Sequence, residues 1–151
     1  MKKNIFLIFL FLILFCNFPL FSDEKEQIIS ITQTPCQFLE LEGKNYQFQS
    51  SSSNDCEVAN QSTKAKRVLE LKPLRLKEGK YTFRVKNSGV PYEVGFYLRG
   101  NGFWEYLSKS SVSGGGLWNG ITKDYPIFLK KGNYLLSCPL NPTLDYPLVV
   151  E

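Results

Sequence analysis

The stretch LKEGKYTFRVKN, residues 76–87, decides the fold class. Tyr81, Phe83 and Val85 fall on one face and Thr82, Arg84 and Lys86 on the other, the period of two that a half-buried strand imposes. Gly79 stands just before them, where a tight turn would bring the chain in. A second stretch, LKKGNYLL at 129–136, echoes the first. Each copy reads as strand end, turn, strand start. Glycine supplies the positive φ that such a turn can require. Tyr81 and Tyr134, two residues later, are placed to bury a ring while the hydroxyl reaches back to the chain, as in a tyrosine corner. Two unrelated turns account for the echo as well as an internal repeat does.

Working outward, segments rich in β-branched and aromatic residues alternate with Gly, Pro, Asn and Ser every ~8–12 residues, the spacing of a sandwich or barrel. Strands are predicted at Gln27–Thr32, Tyr46–Gln49, Val68–Leu71, Lys80–Lys86, Glu93–Arg99, Asp124–Leu129, Asn133–Cys138 and Pro147–Val150. The polar run 50–66 reads as a surface loop with one helical turn around 57–61. The fold class expected is all-β, a Greek-key β-sandwich, with no linker that would divide it.

The N-terminus is a different kind of sequence. Lys2 and Lys3 precede an unbroken apolar run, Ile5 to Phe15, which is the pattern of an export signal. The run is shorter than the ~20 apolar residues of a membrane-spanning helix. Cleavage after Ser22 makes residues 1–22 a signal peptide and 23–151 a single mature domain without a transmembrane anchor, in the periplasm or secreted. The alternative is a lipoprotein modified at Cys16, against which the large Phe15 argues. Cleavage also removes two lysines and no acid, so half of the formal charge of +4 belongs to the signal. The remaining basic residues form no stripe interleaved with aromatics, which disfavours nucleic acid as a partner.

Export leaves Cys36, Cys56 and Cys138, an odd number in an oxidising compartment. A Cys36–Cys56 disulfide closes a short loop and is preferred; Cys36–Cys138 remains open if the first and last strands are neighbours. No pair is spaced as in a thioredoxin-like redox motif. Among 151 residues there is no histidine. That removes Ser-His-Asp and Cys-His catalysis and every imidazole-ligated metal centre.

Two segments carry a family resemblance. The first, GKYTFRVKNSGVPYEVGF at 79–96, runs strand, Asn-containing loop, then a Pro-Tyr pair at Pro91 and Tyr92; the second, GNYLLSCPLN at 132–141, continues through Tyr146 into a closing strand. Both resemble the cupredoxins, exported Greek-key sandwiches that carry copper. The resemblance implies a Pro-His ligand where this chain has Tyr92, a Cys-x-x-His pair where it has Cys138 and Asn141, and a Met near Tyr146. Only the cysteine is retained. A type 1 copper site needs two imidazoles and a thiolate, so a conventional electron-transfer cupredoxin is excluded and no cofactor is expected. Copper held by Cys138 with non-standard or borrowed ligands is the alternative.

Other features offer little chemistry. The Gly114–Gly116 run lacks the lysine and hydroxyl residue of a phosphate loop and reads as a connection between strands. Glu93 and Glu105 are isolated carboxylates. Phe103, Trp104, Tyr106 and Trp118 lie among Gly, Ser and Asn; they either fill the open end of the sandwich, where relatives hold metal, or form a ligand surface. The function these observations imply is an exported, non-catalytic binding or interaction module for a protein or small ligand.

Overall fold

The alternation of residues 79–87 places this segment at the heart of the first of two sheets. The structure, a computed structural model, describes residues 25–151; the expected signal peptide and Cys16 lie outside the described residues. Strand β4 (Gly79–Asn87) lies between β1 (Gln27–Thr34), to which it is parallel, and β7 (Thr122–Leu129), to which it is antiparallel; β2 (Gln37–Phe38) completes the order β2-β1-β4-β7. The second sheet has the order β3-β9-β8-β5-β6, from β3 (Leu74–Leu76), β5 (Val94–Gly100), β6 (Val112–Leu117), β8 (Gly132–Ser137) and β9 (Tyr146–Val150). Three helices interrupt the strands, α1 (Leu39–Glu42), α2 (Ser53–Glu70) and α3 (Phe103–Ser108).

Tyr81, Phe83 and Val85 are buried against the facing sheet, as the alternation requires, and Arg84 and Lys86 are exposed. Thr82 departs from the pattern. It is buried on the outer face because the Glu26 carboxylate accepts its hydroxyl. Phe83, Phe96 and Tyr125 continue the core, with ring centroids 5.6 Å apart for Phe83–Phe96 and 5.0 Å for Phe96–Tyr125. Each fully buried ring stabilises the fold by about 1.5–3 kcal/mol, and each ring pair adds about 0.5–1.5 kcal/mol. Both tyrosine corners form: the Tyr81 hydroxyl donates to the Lys77 carbonyl at 3.0 Å and Tyr134 to the Lys130 carbonyl at 2.8 Å. Each ring is buried and each hydroxyl clasps the turn that introduces its own strand.

The main departure from expectation is α2. Where a loop and a strand at Val68–Leu71 were expected, one helix of 18 residues runs from Ser53 to Glu70. Its start is a capping box in which Asp55 accepts the Ser52 N–H at 3.0 Å, and the same carboxylate takes the Ser51 N–H at 2.7 Å. Those bonds, from Ser51 first, hold the Asp55 carboxyl below the usual carboxylate range. The helix carries no apolar stripe. Its only buried residues are Cys56 and Arg67, so two tethers replace a hydrophobic face. Cys56 is bonded to Cys36, the preferred pairing, while Cys138 stays free. Arg67 forms an ion pair with Glu42 at 2.5 Å, with the two side chains 1% and 2% exposed. Its guanidinium also donates to the Cys36 carbonyl at 3.0 Å and to Asn60 Oδ1 at 2.7 Å.

Three smaller expectations also change. Residues 46–49 form no strand; Tyr46 and Phe48 stack on each other, and their rings lie 5.3 and 4.9 Å from the Arg67 guanidinium. The glycine run is not a connection but part of edge strand β6, where a Cβ on Gly95 of the neighbouring strand would come within 2.6 Å of the Gly114 oxygen. Residues 103–108 are helical, and a Cβ on Gly100 would meet the Glu105 carbonyl at 2.2 Å, so only glycine lets α3 fold back on β5.

Candidate functional site

Strand β8 ends at Ser137, and the next residue turns its sulfur inward. Cys138 is buried, and Sγ accepts the backbone N–H groups of Gly95 at 3.3 Å and Asn141 at 3.2 Å. The Cys138 N–H donates to Thr143 Oγ1 at 3.0 Å, which closes the loop between β8 and β9. A cleft of about 360 Å3 opens beside this loop, and the cation among its lining residues, Arg99, is engaged by Asp145 at 2.7 Å and Ser137 at 2.8 Å.

Asn141 is fully buried and every polar atom of its side chain is used. Oδ1 accepts the Cys36 N–H at 3.0 Å and the Tyr92 hydroxyl at 3.2 Å, while Nδ2 donates to the Thr34 carbonyl at 3.0 Å. Cys56 Sγ lies 3.1 Å from the same oxygen. That sulfur has no proton, because it is bonded to Cys36, so this is a packing contact between the disulfide and the amide. The Tyr92 hydroxyl also meets Ser50 Oγ at 2.6 Å and the Ser52 carbonyl at 3.2 Å. Burial raises the pKa of the phenol, with Cys138 and Asp55 adding to the shift and the Ser50 bond opposing it. The group stays protonated at neutral pH.

Three of the four positions singled out from sequence therefore converge: Cys138, Asn141 and Tyr92. Tyr146 does not join them. Its hydroxyl donates to Glu42 Oε1 at 2.6 Å and accepts the Phe38 N–H at 3.0 Å, and its ring stacks on Phe38 at 5.2 Å. Burial first, then the Glu42 charge, pushes this phenol well above its ordinary pKa. The Glu42–Arg67–Tyr146 cluster was not anticipated. Its one sequence signal was Arg67 at the end of a polar run, and an arginine there ordinarily faces water.

The four aromatics singled out from sequence, all exposed, divide between the two ends of the sandwich. Trp118 follows Leu117, which pairs with Val94 at the start of β5, the end that holds Cys138. Phe103, Trp104 and Tyr106 are on α3, which packs on β5 beside Gly100, at the other end of a strand about 20 Å long at about 3.3 Å per residue, with Tyr106 reaching back to Tyr97. The α3 side chains therefore fill no space next to Cys138. What closes that end is the disulfide, Tyr92 and the first turn of α2.

Neither a protein-family model nor a curated protein matches the chain. Among solved structures, auracyanin B superposes with a TM-score of 0.51 at 9% identity, over 85% of this chain and 90% of its own. The fold is cupredoxin-like. Auracyanin A, described as a "blue" copper protein from the green thermophilic photosynthetic bacterium Chloroflexus aurantiacus, has a TM-score of 0.44 and 17% identity over 84% of this chain and all of its own.

In this cupredoxin-like sandwich the donor set does not fit the copper centre its fold family implies. A type 1 site takes two neutral imidazoles and a thiolate. Here the thiol is present, but Asn141 spends its amide on backbone groups, Tyr92 offers a protonated phenol, and Tyr146 is committed to Glu42. Among the described residues no helix is long and apolar enough to cross a membrane.

Proposed function

We propose that the protein is an exported, non-catalytic binding or interaction module, a mature domain of residues 23–151 in which the copper end of the sandwich has become a structural plug. Asn141 carries this reading. It stands where the family resemblance implies an imidazole, and its amide cross-links Cys36, Thr34 and Tyr92 instead of facing an open coordination position. Export is supported by the signal-like N-terminus and by the Cys36–Cys56 disulfide, a bond characteristic of oxidising compartments. Incubation of the secreted chain with copper, followed by removal of free metal, tests the reading. No stoichiometric copper is expected; one copper per chain with a visible thiolate-to-copper absorption overturns it.

One observation favours a second reading, in which a metal-handling or redox partner uses Cys138. The thiol is free and its sulfur already accepts two N–H groups. A Cys138→Ala variant that keeps the metal content of the parent rules this version out.

A further inference from the structure

The polarity of helix α3 is reversed. A surface helix normally turns its apolar stripe to the core and its charges to water. On α3, Phe103, Trp104, Tyr106 and Leu107 are 69%, 78%, 56% and 62% exposed, and at 3.6 residues per turn they span about 160° of the helix circumference. Glu105 falls on the opposite side and faces the protein. Its carboxylate pairs with Lys109 at 3.5 Å and lies against Gly132, where a Cβ would come within 2.8 Å of Oε2. Two contacts fix this orientation: a Cβ on Gly100 of β5 would meet the Glu105 carbonyl at 2.2 Å, and Lys109 donates to the Lys131 carbonyl. Phe103 and Trp104 meet edge to face at 5.2 Å, so the outer side is one ridge rather than scattered rings.

The size and the charge of this face fit a second copy of the same face. A Phe, Tyr or Trp side chain buries ~150–250 Å2 when fully covered, so at these exposures the three rings and Leu107 offer about 500 Å2 of apolar side chain. Contiguous apolar patches beyond a few hundred Å2 are rare on soluble monomers. An interface of standard size covers about 800 Å2 per partner, and in homodimers about 65% of it is apolar, which is again about 500 Å2. The rim carries both signs of charge. Lys130 and Lys131, exposed in the turn beside α3, stand next to Glu78, whose carboxylate accepts the Lys131 N–H at 3.0 Å and keeps its charge; Glu151, whose carbonyl accepts the Glu78 N–H at 3.3 Å, adds a further acid. Such a rim has little net field with which to attract a partner of one sign. Across a twofold axis each copy meets the same surface turned around, so interleaved lysines and carboxylates pair with each other.

We propose that α3 is the centre of a twofold interface between two copies of this chain, ridge against ridge, with the Cys138 end and Trp118 left outside it. The inference goes beyond the plug reading and is independent of it, since copper uptake tests the Cys138 end alone. The secreted chain is followed by sedimentation velocity from about 1 µM to about 500 µM, a range that a standard-size interface populates. Expected is a mass that rises to twice the monomer's and no further, because a twofold contact closes on itself. Phe103→Ser with Trp104→Ser stays monomeric throughout. It keeps the parent's circular dichroism and a cooperative urea transition, which separates loss of the contact from loss of the fold. The two tryptophans lie at opposite ends, so each reports on one. In Trp118→Phe, the emission of Trp104 shifts to the blue as the dimer fraction grows; in Trp104→Phe, Trp118 does not shift. Lys130→Glu with Lys131→Glu, which makes the rim acidic, weakens dimerisation about tenfold at low salt and recovers at about 0.5 M salt, where the parent changes little. A monomer at every concentration overturns the proposal, as does a dimer that the two serines leave intact, a Trp118 shift equal to that of Trp104, or growth beyond the dimer. A Trp104 shift seen only on added lipid vesicles, with the chain still monomeric, overturns it in favour of a membrane surface.

Discussion

Asn141 joins the ends of elements far apart in the chain: one amide accepts from Cys36 and Tyr92 and donates to Thr34. Truncating it strands a buried N–H of the β1–β2 turn, at a desolvation penalty of about 1–3 kcal/mol per group. Asn141→Ala is expected to lose about 2–4 kcal/mol, read from the urea midpoint at unchanged m. A loss below about 0.5 kcal/mol would show that the plug is not held by this amide. The adjacent Cys36 sits in the turn at φ 64°, a left-handed conformation unusual for a non-glycine residue, and the Asn141 bond helps hold it there.

Helix α2 illustrates an element defined by its tethers. With only Cys56 and Arg67 buried, apolar burial contributes little, and the Glu42–Arg67 pair pins the C-terminal half. For Arg67, burial alone would lower the pKa, but the Glu42 bonds and charge outweigh it and the guanidinium stays charged. A buried pair of this kind is expensive to break and inexpensive to replace. Arg67→Ala, which leaves Glu42 buried with no counter-charge, is expected to lose about 3–5 kcal/mol, whereas Glu42→Leu with Arg67→Met loses much less. A double-mutant cycle by chemical denaturation measures the difference; additive losses would mean that the two charges do not stabilise each other.

For the whole molecule, the aromatic core ties stability to alkaline pH. Burial raises the pKa of Tyr92, Tyr125, Tyr134 and, most, Tyr146 above the ordinary 10.0. Below that value both the folded and unfolded chains keep their phenols protonated. Above it the unfolded chain ionises first, binds fewer protons, and is favoured, so stability falls as pH rises from 10.0 towards the folded values. Each such tyrosine contributes a slope of up to about 1.4 kcal/mol per pH unit. Denaturant midpoints should stay level up to about pH 9 and fall steadily above about pH 10, and Tyr146→Phe should make that slope shallower. A flat profile would mean that these hydroxyls ionise in the folded state.

Sequence alone determined the sandwich, because period-two alternation at Tyr81, Phe83 and Val85 is a local consequence of which face meets the core. It also placed both tyrosine corners, each set by a glycine, a turn and a ring within five residues, and the absence of histidine removed the copper ligands before any geometry was known. Only the tertiary structure decided the rest. Helix α2 was hidden because its stability comes from a disulfide and an ion pair to residues 20 and 25 positions away, which leave no periodic pattern. Edge strand β6 was hidden because its glycines fit a close approach to β5 that no side-chain pattern encodes. The sequence brought Tyr146 and Trp118 under suspicion with their neighbours, but register along β5, β8 and β9 assigned Tyr146 to the Glu42 cluster and separated Trp118 from α3. Which residues share a site is a property of strand pairing, and pairing is a non-local choice made by the packed molecule.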